Sequence, residues 1–155
     1  MTRVGVLSDT HGLLRPEALA ALEGSDLIVH AGDVGDPAIL ERLAELAPVT
    51  AVRGNVDGGA WARVLPETAV VDAGGASLWV LHVLEELDLD PAAAGMAAVI
   101  YGHTHRPALE RKGGVLYLNP GSAGHRRFHL PVSVARLAVE DGSLEAELVE
   151  LEVRS

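Results

Sequence analysis

The feature that most constrains the fold of this chain is a unit that recurs in its first half: a short apolar run, then a polar loop, then a helical pattern. The apolar runs cover residues 3–8, 26–30 and 49–52. Helical patterns follow the first two, beginning at Pro16 and at Asp36-Pro37. Strand and helix units of this kind predict parallel strands joined by right-handed crossovers.

The second half shows a different pattern, in which glycine pairs and tight turns separate apolar strands. Hairpin signals lie at Gly74-Gly75, Gly113-Gly114 and Asp141-Gly142. They predict mainly antiparallel strands toward the end, and Asp90-Pro91 predicts a small helix that Gly95 stops. The predicted strands are residues 67–71, 76–81, 99–102, 108–111 and 115–118, and the runs on either side of Asp141-Gly142. No linker or repeat divides the sequence, so we predict a single domain over residues 1–155, of the mixed α/β class, with two packed sheets.

Charge and residue content exclude several classes of function. The formal net charge is -10, which argues against a stable complex with nucleic acid, because such complexes need dense Lys and Arg. The chain has no cysteine, so disulfides, thiolate zinc sites and cysteine nucleophiles are excluded. No apolar run approaches the roughly 20 residues of a membrane span, and residues 1–9 lack a signal-peptide pattern. We therefore expect a cytoplasmic protein without membrane association.

Residues 99–107, VIYGHTHRP, place His103 and His105 two positions apart at the end of an apolar run. In an extended segment such side chains point the same way and can serve one polar pocket. Two histidines are weak evidence by themselves, because a surface loop or a pair of hydrogen-bonded core histidines is the more common explanation of an isolated HxH.

Other potential metal ligands also follow apolar runs. With the two histidines they make seven donors at strand ends: Asp9, His11, Asp33, Asn55, His82, His103 and His105. Each has a structural explanation of its own, such as a loop cap, a turn or a core histidine. Ligands bind outside the carboxyl ends of strands in open sheets, so the common position of all seven favours one shared metal site.

The donor types indicate which metals and which reaction to expect. Imidazole, carboxylate and amide ligands without thiolate suit manganese, iron, zinc, nickel or cobalt, and manganese is favoured here. Seven donors exceed the needs of one open catalytic ion but suit two divalent ions that share a carboxylate. Two such ions about 3.5 to 4 Å apart are typical of phosphoester hydrolysis.

Six ordered motifs carry a family resemblance: DTH (9–11), GD (32–33), GNVD (54–57), LH (81–82), GHTH (102–105) and NPGS (119–122). Together they resemble the calcineurin-like metallophosphoesterases. The closer resemblance is to the small single-domain bacterial and archaeal phosphodiesterases that are related to the retromer subunit of the same fold. It implies a four-layer αββα sandwich, in which helices flank two β-sheets.

The resemblance also implies a role for each donor. Asp9, His11 and His105 would hold one metal, while Asn55, His82 and His103 would hold the other. Asp33 would bridge the two, and a hydroxide between the metals would be the nucleophile. The resemblance thus implies that Asp33, Asn55, His82 and His103 position the metals and the hydroxide for catalysis.

The sequence departs from the family pattern at two places. Many members have a histidine after the GN asparagine, where this chain has Val56, and that weakens the prediction of monoesterase activity. Residues 83–85, VLE, replace the glycine and second histidine that many members have after the ligand at position 82. Positioning of the substrate on that side is therefore left open.

Several further residues have two interpretations each. Arg126 and Arg127, beside His125 and His129, form the one locally basic stretch and are predicted to bind substrate together with Asn55, although an exposed loop explains them too. Asp57 either orients a metal-binding histidine or caps its own turn. Asn119 and Ser122 either orient loops or phosphate, or form an ordinary turn after a strand. His30 is predicted to lie in the core or behind the metal ligands.

The predicted function is therefore a metal-dependent phosphodiesterase that acts on small or nonspecific phosphodiesters. One alternative is a non-catalytic scaffold for protein interactions, because the related retromer subunit uses this fold in that way. Another is a phosphomonoesterase that acts on nucleotides or sugar phosphates. The predicted partner is a small phosphodiester, and a homodimer is left open.

Overall fold

A computed structural model describes residues 1–153 and contains two five-stranded β-sheets. The strands are β1 (Thr2–Leu7), β2 (Leu27–His30), β3 (Val49–Ala51), β4 (Thr68–Ala73), β5 (Ala76–Leu81), β6 (Ala98–Ile100), β7 (Ala108–Lys112), β8 (Val115–Asn119), β9 (Ser133–Glu140) and β10 (Ser143–Glu150). The helices are α1 (Pro16–Leu22), α2 (Pro37–Ala44) and α3 (Ala60–Arg63), and Leu84–Glu86 forms a 3₁₀ turn. Within residues 1–153, no helix combines the length and apolarity needed to cross a membrane.

The first sheet has the strand order β10-β9-β1-β2-β3 and confirms the parallel crossovers predicted for the first half. Leu7 pairs with His30 in the parallel register, and His30 pairs with Ala51. The loops that follow β1, β2 and β3 therefore leave the sheet at one edge. Helix α1 begins at Pro16 and α2 begins after Asp36, whose side chain accepts a hydrogen bond from the amide of Ala38.

The second sheet has the order β4-β5-β6-β8-β7. The three predicted hairpins, β4-β5, β7-β8 and β9-β10, are confirmed. The expectation of mainly antiparallel strands is incomplete, because β5, β6 and β8 pair in parallel. Hairpin signals are local, whereas a parallel pair joins segments that are distant in sequence. This arrangement brings the ends of β5, β6 and β8 to a common edge.

The core forms three apolar layers. Val6, Val29 and Ile100 belong to the layer between the two sheets, in which the buried side chains of residues 1–153 are all aliphatic. A second layer packs α1 and α2 against the outer face of the first sheet. The third covers the second sheet with little more than the 3₁₀ turn and Leu87. The fold is the predicted α/β sandwich, with a thin fourth layer.

The predicted helix after Asp90 is wrong. Asp90 accepts hydrogen bonds from the amides of Ala92 and Ala93, at 3.1 and 3.3 Å, so it caps the segment as expected. The chain then makes only a single turn before Gly95. Because nucleating a helix fixes several residues for one hydrogen bond, so short a segment gains too little from propagation. Helix α3 and the 3₁₀ turn, both very short, carry no helical pattern in the sequence.

Candidate metal centre

All seven predicted donors follow strands that end at one side of the sandwich. Asp9 follows β1, Asp33 follows β2, and Asn55 lies in the loop after β3. His82 directly follows β5, and the two histidines of GHTH follow β6. The two sheets therefore each contribute to one polar site, to which the first supplies both carboxylates and the second supplies three of the four imidazoles.

The loops at this edge use an uncommon backbone conformation. Seven non-glycine residues of the described chain have positive φ, and five of them are predicted donors: Asp9 (56°), His11 (46°), Asp33 (57°), His103 (76°) and His105 (63°). This conformation costs on the order of 1 kcal/mol for such residues and is concentrated at functional sites. Backbone hydrogen bonds from Asp9 to Gly32 and from His11 to Asp33, at 3.0 and 2.9 Å, hold two of these loops together.

Two glycines of the motifs allow the ligand loops to approach each other. A Cβ on Gly54 would overlap the backbone nitrogen and the carboxylate of Asp33. A Cβ on Gly102 would overlap the side chains of Ser8 and Asp9. The glycines of GNVD and GHTH are therefore needed for close packing against the two aspartates.

The first group of donors consists of Asp9, His11 and His105. The Nε2 atoms of the two histidines are 3.2 Å apart, and Asp9 Oδ1 lies 3.6 Å from His11 Nε2 and 3.4 Å from His105 Nε2. Asp9 Oδ2 accepts hydrogen bonds from Ser8 Oγ at 2.7 Å and from the His103 amide at 3.1 Å. These bonds orient the carboxylate so that Oδ1 faces the two imidazoles.

The second group consists of Asp33, His82 and His103. His82 Nδ1 lies 2.8 Å from the carbonyl oxygen of Ala31 and donates to it, which leaves Nε2 facing Asp33 Oδ2 at 3.0 Å. His103 Nδ1 lies 3.2 Å from Asn55 Oδ1, so the amide joins this group.

Asp33 lies between the two groups. Its Oδ1 accepts a hydrogen bond from the Val56 amide at 3.0 Å. Its Oδ2 lies 3.6 Å from His11 Nε2 in the first group and 3.0 Å from His82 Nε2 in the second. The structure thus brings all seven predicted donors together and puts one carboxylate at the junction, while their role as metal ligands stays a prediction.

The charges of the site favour cation binding. Burial alone would raise the pKa of Asp9, but the nearby imidazoles of His105 and His11 outweigh it and hold that pKa far below its usual range. Burial likewise opposes ionisation of Asp33, but the adjacent His82 imidazole and the hydrogen bond from the Val56 amide lower its pKa. The pKa of His11 is raised by the nearby Asp9 carboxylate, and that of His82 is raised because Asp33 outweighs the effect of burial. Both carboxylates are therefore anionic at neutral pH.

Unsatisfied atoms test whether the donors fit a metal. Within residues 1–153, Asp9 Oδ1 and His82 Nε2 are buried and have no hydrogen-bond partner in the protein. Buried polar atoms without partners cost free energy. Here Asp9 Oδ1 and His82 Nε2 face each other within the donor cluster. A cation between the donors would satisfy both atoms, so the residues present fit divalent metal ions. His105 Nδ1 is also buried without a partner.

Asp57 has the turn-capping role that the sequence left open. Its carboxylate accepts hydrogen bonds from the amides of Gly54, Val34 and Gly35, at 2.9, 3.2 and 3.0 Å. No hydrogen bond to a histidine is found for it among the described residues. Asp57 therefore ties the loop of Asn55 to the loop of Asp33.

Three other residues hold the ligand loops from behind. His30 is fully buried and bonds to Thr10 Oγ1 at 3.0 Å, as expected for a core residue behind the ligands. Asn119 donates to the Gly102 carbonyl and to Thr104 Oγ1, and Ser122 Oγ lies 3.1 Å from the Asp9 carbonyl. Asn119 and Ser122 thus orient loops.

The predicted substrate residues Arg126 and Arg127 are exposed on the loop that follows the NPGS motif. Val56, which follows Asn55, is 54% exposed. A cavity of about 260 Å³ adjoins Asn55 and His82, and Val83 belongs to its lining.

Sequence reasoning missed Ser8 as a support for a ligand. Its hydroxyl is fully buried and fixes one oxygen of the Asp9 carboxylate. The position directly before a candidate ligand is the only signal in the sequence, and it does not reveal that the hydroxyl turns toward the neighbouring carboxylate.

Comparisons with known proteins identify the family. Residues 2–142 match the calcineurin-like phosphoesterase superfamily domain. The chain is 37% identical over 162 residues to the probable metallophosphoesterase MJ0623 of Methanocaldococcus jannaschii, a match that covers 96% of this chain and 81% of that protein. It is 32% identical to the phosphodiesterase YfcE of Escherichia coli K12, with 88% of each protein covered.

Among solved structures, Vps29 of Chaetomium thermophilum superimposes with a TM-score of 0.78 at 19% identity, over 98% of this chain and 100% of that one. At that identity the likeness shows the fold alone. The family match and the two relatives carry the assignment, and the chain belongs to the calcineurin-like phosphoesterase superfamily.

Proposed function

We propose that this calcineurin-like phosphoesterase is a two-metal phosphodiesterase that hydrolyses small phosphodiesters. The observation that carries the proposal is the position of Asp33, whose Oδ2 lies within 3.6 Å of an imidazole from each of two donor groups. A carboxylate in that position is suited to be shared by two cations. The similarity to proteins named phosphodiesterases supports the type of ester.

The proposed ligands divide as the two groups do. Asp9, His11 and His105 hold one ion, and Asn55, His82 and His103 hold the other, with Asp33 shared between them. When bound, two divalent ions supply an activated water for attack on phosphorus and offset the negative charge that develops there. Manganese is the favoured metal, while iron, zinc, nickel and cobalt also suit nitrogen and oxygen donors without thiolate.

The chain's own residues orient the substrate in this proposal. Asn55 provides an amide beside the second group, and Arg126 and Arg127 provide guanidinium groups that are suited to a phosphate. The cavity beside Asn55 and His82 has room for one ester arm. Arg53, which lines this cavity, is paired with Glu67 at 2.9 Å.

A diester is preferred to a monoester because Val56 offers no side-chain donor to a terminal phosphate oxygen. The complete set of seven donors favours an enzyme over a scaffold for protein interactions, which has no need of them. The proposal also includes a small phosphodiester as the partner and a cytoplasmic location. It makes no statement on whether the protein forms a homodimer.

The test measures metal content and activity together. The protein is stripped with a chelator, reloaded separately with Mn, Fe, Co, Ni or Zn, and assayed on bis(p-nitrophenyl) phosphate and p-nitrophenyl phosphate. We expect about two metal equivalents per chain and faster hydrolysis of the diester. Asp33→Asn should lose metal and activity, and Asp72→Asn, on the exposed part of β4, is the matched control.

Two results would contradict the proposal. One is the failure of all five metals to support diester hydrolysis while His103→Ala has no effect on any activity that remains. The other is a stoichiometry of one ion per chain that Asp33→Asn leaves unchanged, which would exclude the two-metal arrangement.

A further inference from the structure

An exposed aromatic ring stands at the tip of a loop beside the metal centre. Phe128 is the only phenylalanine in the chain, and it is 85% exposed with a φ of 54°. The Leu130 amide donates to the Arg127 carbonyl at 3.0 Å, which closes a turn with Phe128 and His129 at its tip. The turn therefore presents the ring to solvent.

The base of this loop is fastened to the loop of the first donor group. Ser122 Oγ lies 3.1 Å from the Asp9 carbonyl and 3.2 Å from the His125 carbonyl, so it can donate to either. Gly124 packs so closely on the Thr10 carbonyl that a Cβ would overlap it. Arg15 Nε also donates to the Gly124 carbonyl at 2.7 Å. These contacts place the start of the tip loop, residues 124–130, against the Asp9 side of the centre.

The loop that carries the ring is basic, whereas the chain as a whole has a negative net charge. Arg126 and Arg127 directly precede Phe128, and His129 follows it, in a protein of net charge -10. An aromatic ring and two guanidinium groups on one short loop are a combination that can bind a base by stacking and a phosphate by charge.

We infer that Phe128 stacks on a nucleobase, and that the substrates of this enzyme are small phosphodiesters that carry one. The inference rests on the proposed phosphodiesterase function. Long nucleic acids are disfavoured because the net charge of the chain repels them. A membrane surface is disfavoured because one ring buries little area and the same net charge opposes anionic lipid. A mononucleotide or dinucleotide ester needs only one ring and one or two cations.

The first test is a binding measurement that does not depend on turnover. Calorimetric titrations compare AMP with ribose 5-phosphate, which lacks the base, on Mn²⁺-loaded protein and again in EDTA, where hydrolysis is suppressed. We expect AMP to bind about 10-fold more tightly than ribose 5-phosphate, because stacking on an aromatic side chain contributes a factor of this order. Phe128→Ala should make the two affinities equal, and Phe128→Trp should keep the preference.

Matched controls separate stacking from a loss of structure. Leu148→Ala removes another exposed apolar side chain, from β10 far along the chain, and should leave the preference for AMP unchanged. Phe128 is too exposed for its removal to unfold the protein, and thermal unfolding of each variant checks this. Equal affinity of the wild-type protein for AMP and ribose 5-phosphate overturns the inference. Loss of binding to phosphatidylserine vesicles in Phe128→Ala, with the AMP preference retained, also overturns it and assigns the loop to membranes.

A second measurement separates failure of this inference from failure of the proposed function. The methyl esters of AMP and of ribose 5-phosphate differ only in the base, and their hydrolysis is followed by chromatography. Phe128→Ala should raise KM for the AMP ester and leave kcat, and both constants for the ribose ester, nearly unchanged. If both esters are cleaved with equal efficiency by the wild-type protein, the inference fails while the phosphodiesterase function stands. If neither is cleaved but AMP preference depends on Phe128, base binding stands and the hydrolytic function fails.

Discussion

His30 should make this protein sensitive to mild acid through its buried, neutral imidazole. The side chain is fully buried, and its Nδ1 accepts a hydrogen bond from the Gly32 amide at 3.1 Å. The proton must then reside on Nε2, which donates to Thr10 Oγ1, whose own hydrogen is donated to the Val34 carbonyl at 2.7 Å. A second proton on the ring would face the Gly32 N–H and break the chain of bonds. Burial accordingly lowers the pKa of His30 to about 4.

The size and direction of the effect follow from this pKa. In the unfolded chain the pKa returns to 6.5, and each unit of difference corresponds to about 1.4 kcal/mol. The unfolded state therefore takes up a proton first as the pH falls, so the native state loses stability between pH 6.5 and pH 4. The contribution of His30 is fully present above pH 6.5, and about 3 kcal/mol of it is lost by pH 4.

The assay compares urea unfolding of the wild-type protein and His30→Asn at pH 7.5 and pH 4, both in EDTA so that bound metal does not contribute. Asparagine can still accept from the Gly32 amide but does not titrate. The difference in unfolding free energy between the two proteins should shift by about 3 kcal/mol in favour of the variant at the lower pH. His129→Asn, at an exposed position, should follow the wild type. An unchanged difference between His30→Asn and the wild type across this range would refute the reasoning.

Three further predictions concern the ligand loops. Gly54→Ala puts a methyl group into the shared aspartate and should remove at least one metal equivalent by elemental analysis, whereas Gly58→Ala, with no atom near its Cβ, should remove none. Asp57→Ala leaves three backbone amides without their acceptor and should lower the unfolding free energy by about 2 kcal/mol in urea titrations. Ser8→Ala removes one of the two hydrogen bonds to Asp9 Oδ2 and should weaken metal affinity about 10-fold in competition with a chelator. No change in any of these quantities would contradict the corresponding contact.

Local signals in the sequence predicted most of the strands. Proline at the start of α1 and the Asp36 cap of α2 act within a few residues, and the glycine pairs act within single turns, so these elements were predictable. The pairing of β5, β6 and β8 was not, because their partners lie far apart in the chain and both faces of each strand are apolar or partly so. The helix predicted after Asp90 failed although its cap is present, because the segment before Gly95 is too short for propagation to offset nucleation.

For the candidate site, the sequence by itself determined which donors are present and that they follow strands. It also carried the family resemblance through six motifs. The roles left open for Asp57, Asn119 and Ser122 were decided only by the tertiary structure, because a carboxylate, an amide or a hydroxyl bonds to whichever groups the fold brings near. The roles of Ser8 and Phe128 likewise depend on which groups the fold brings near them.

His103 and His105 show most clearly what the sequence determined and what the tertiary structure decided. Their spacing suggested that both side chains point the same way, as in an extended segment. In the folded protein both have left-handed backbones, and His103 lies with Asp33 and His82 while His105 lies with Asp9 and His11. The sequence determined that two imidazoles follow β6, and the family resemblance implied that they belong to different groups. Which carboxylate each imidazole meets depends on contacts between the two sheets. Such contacts join residues that are far apart in the sequence, as His11 and His105, which are 94 positions apart, show.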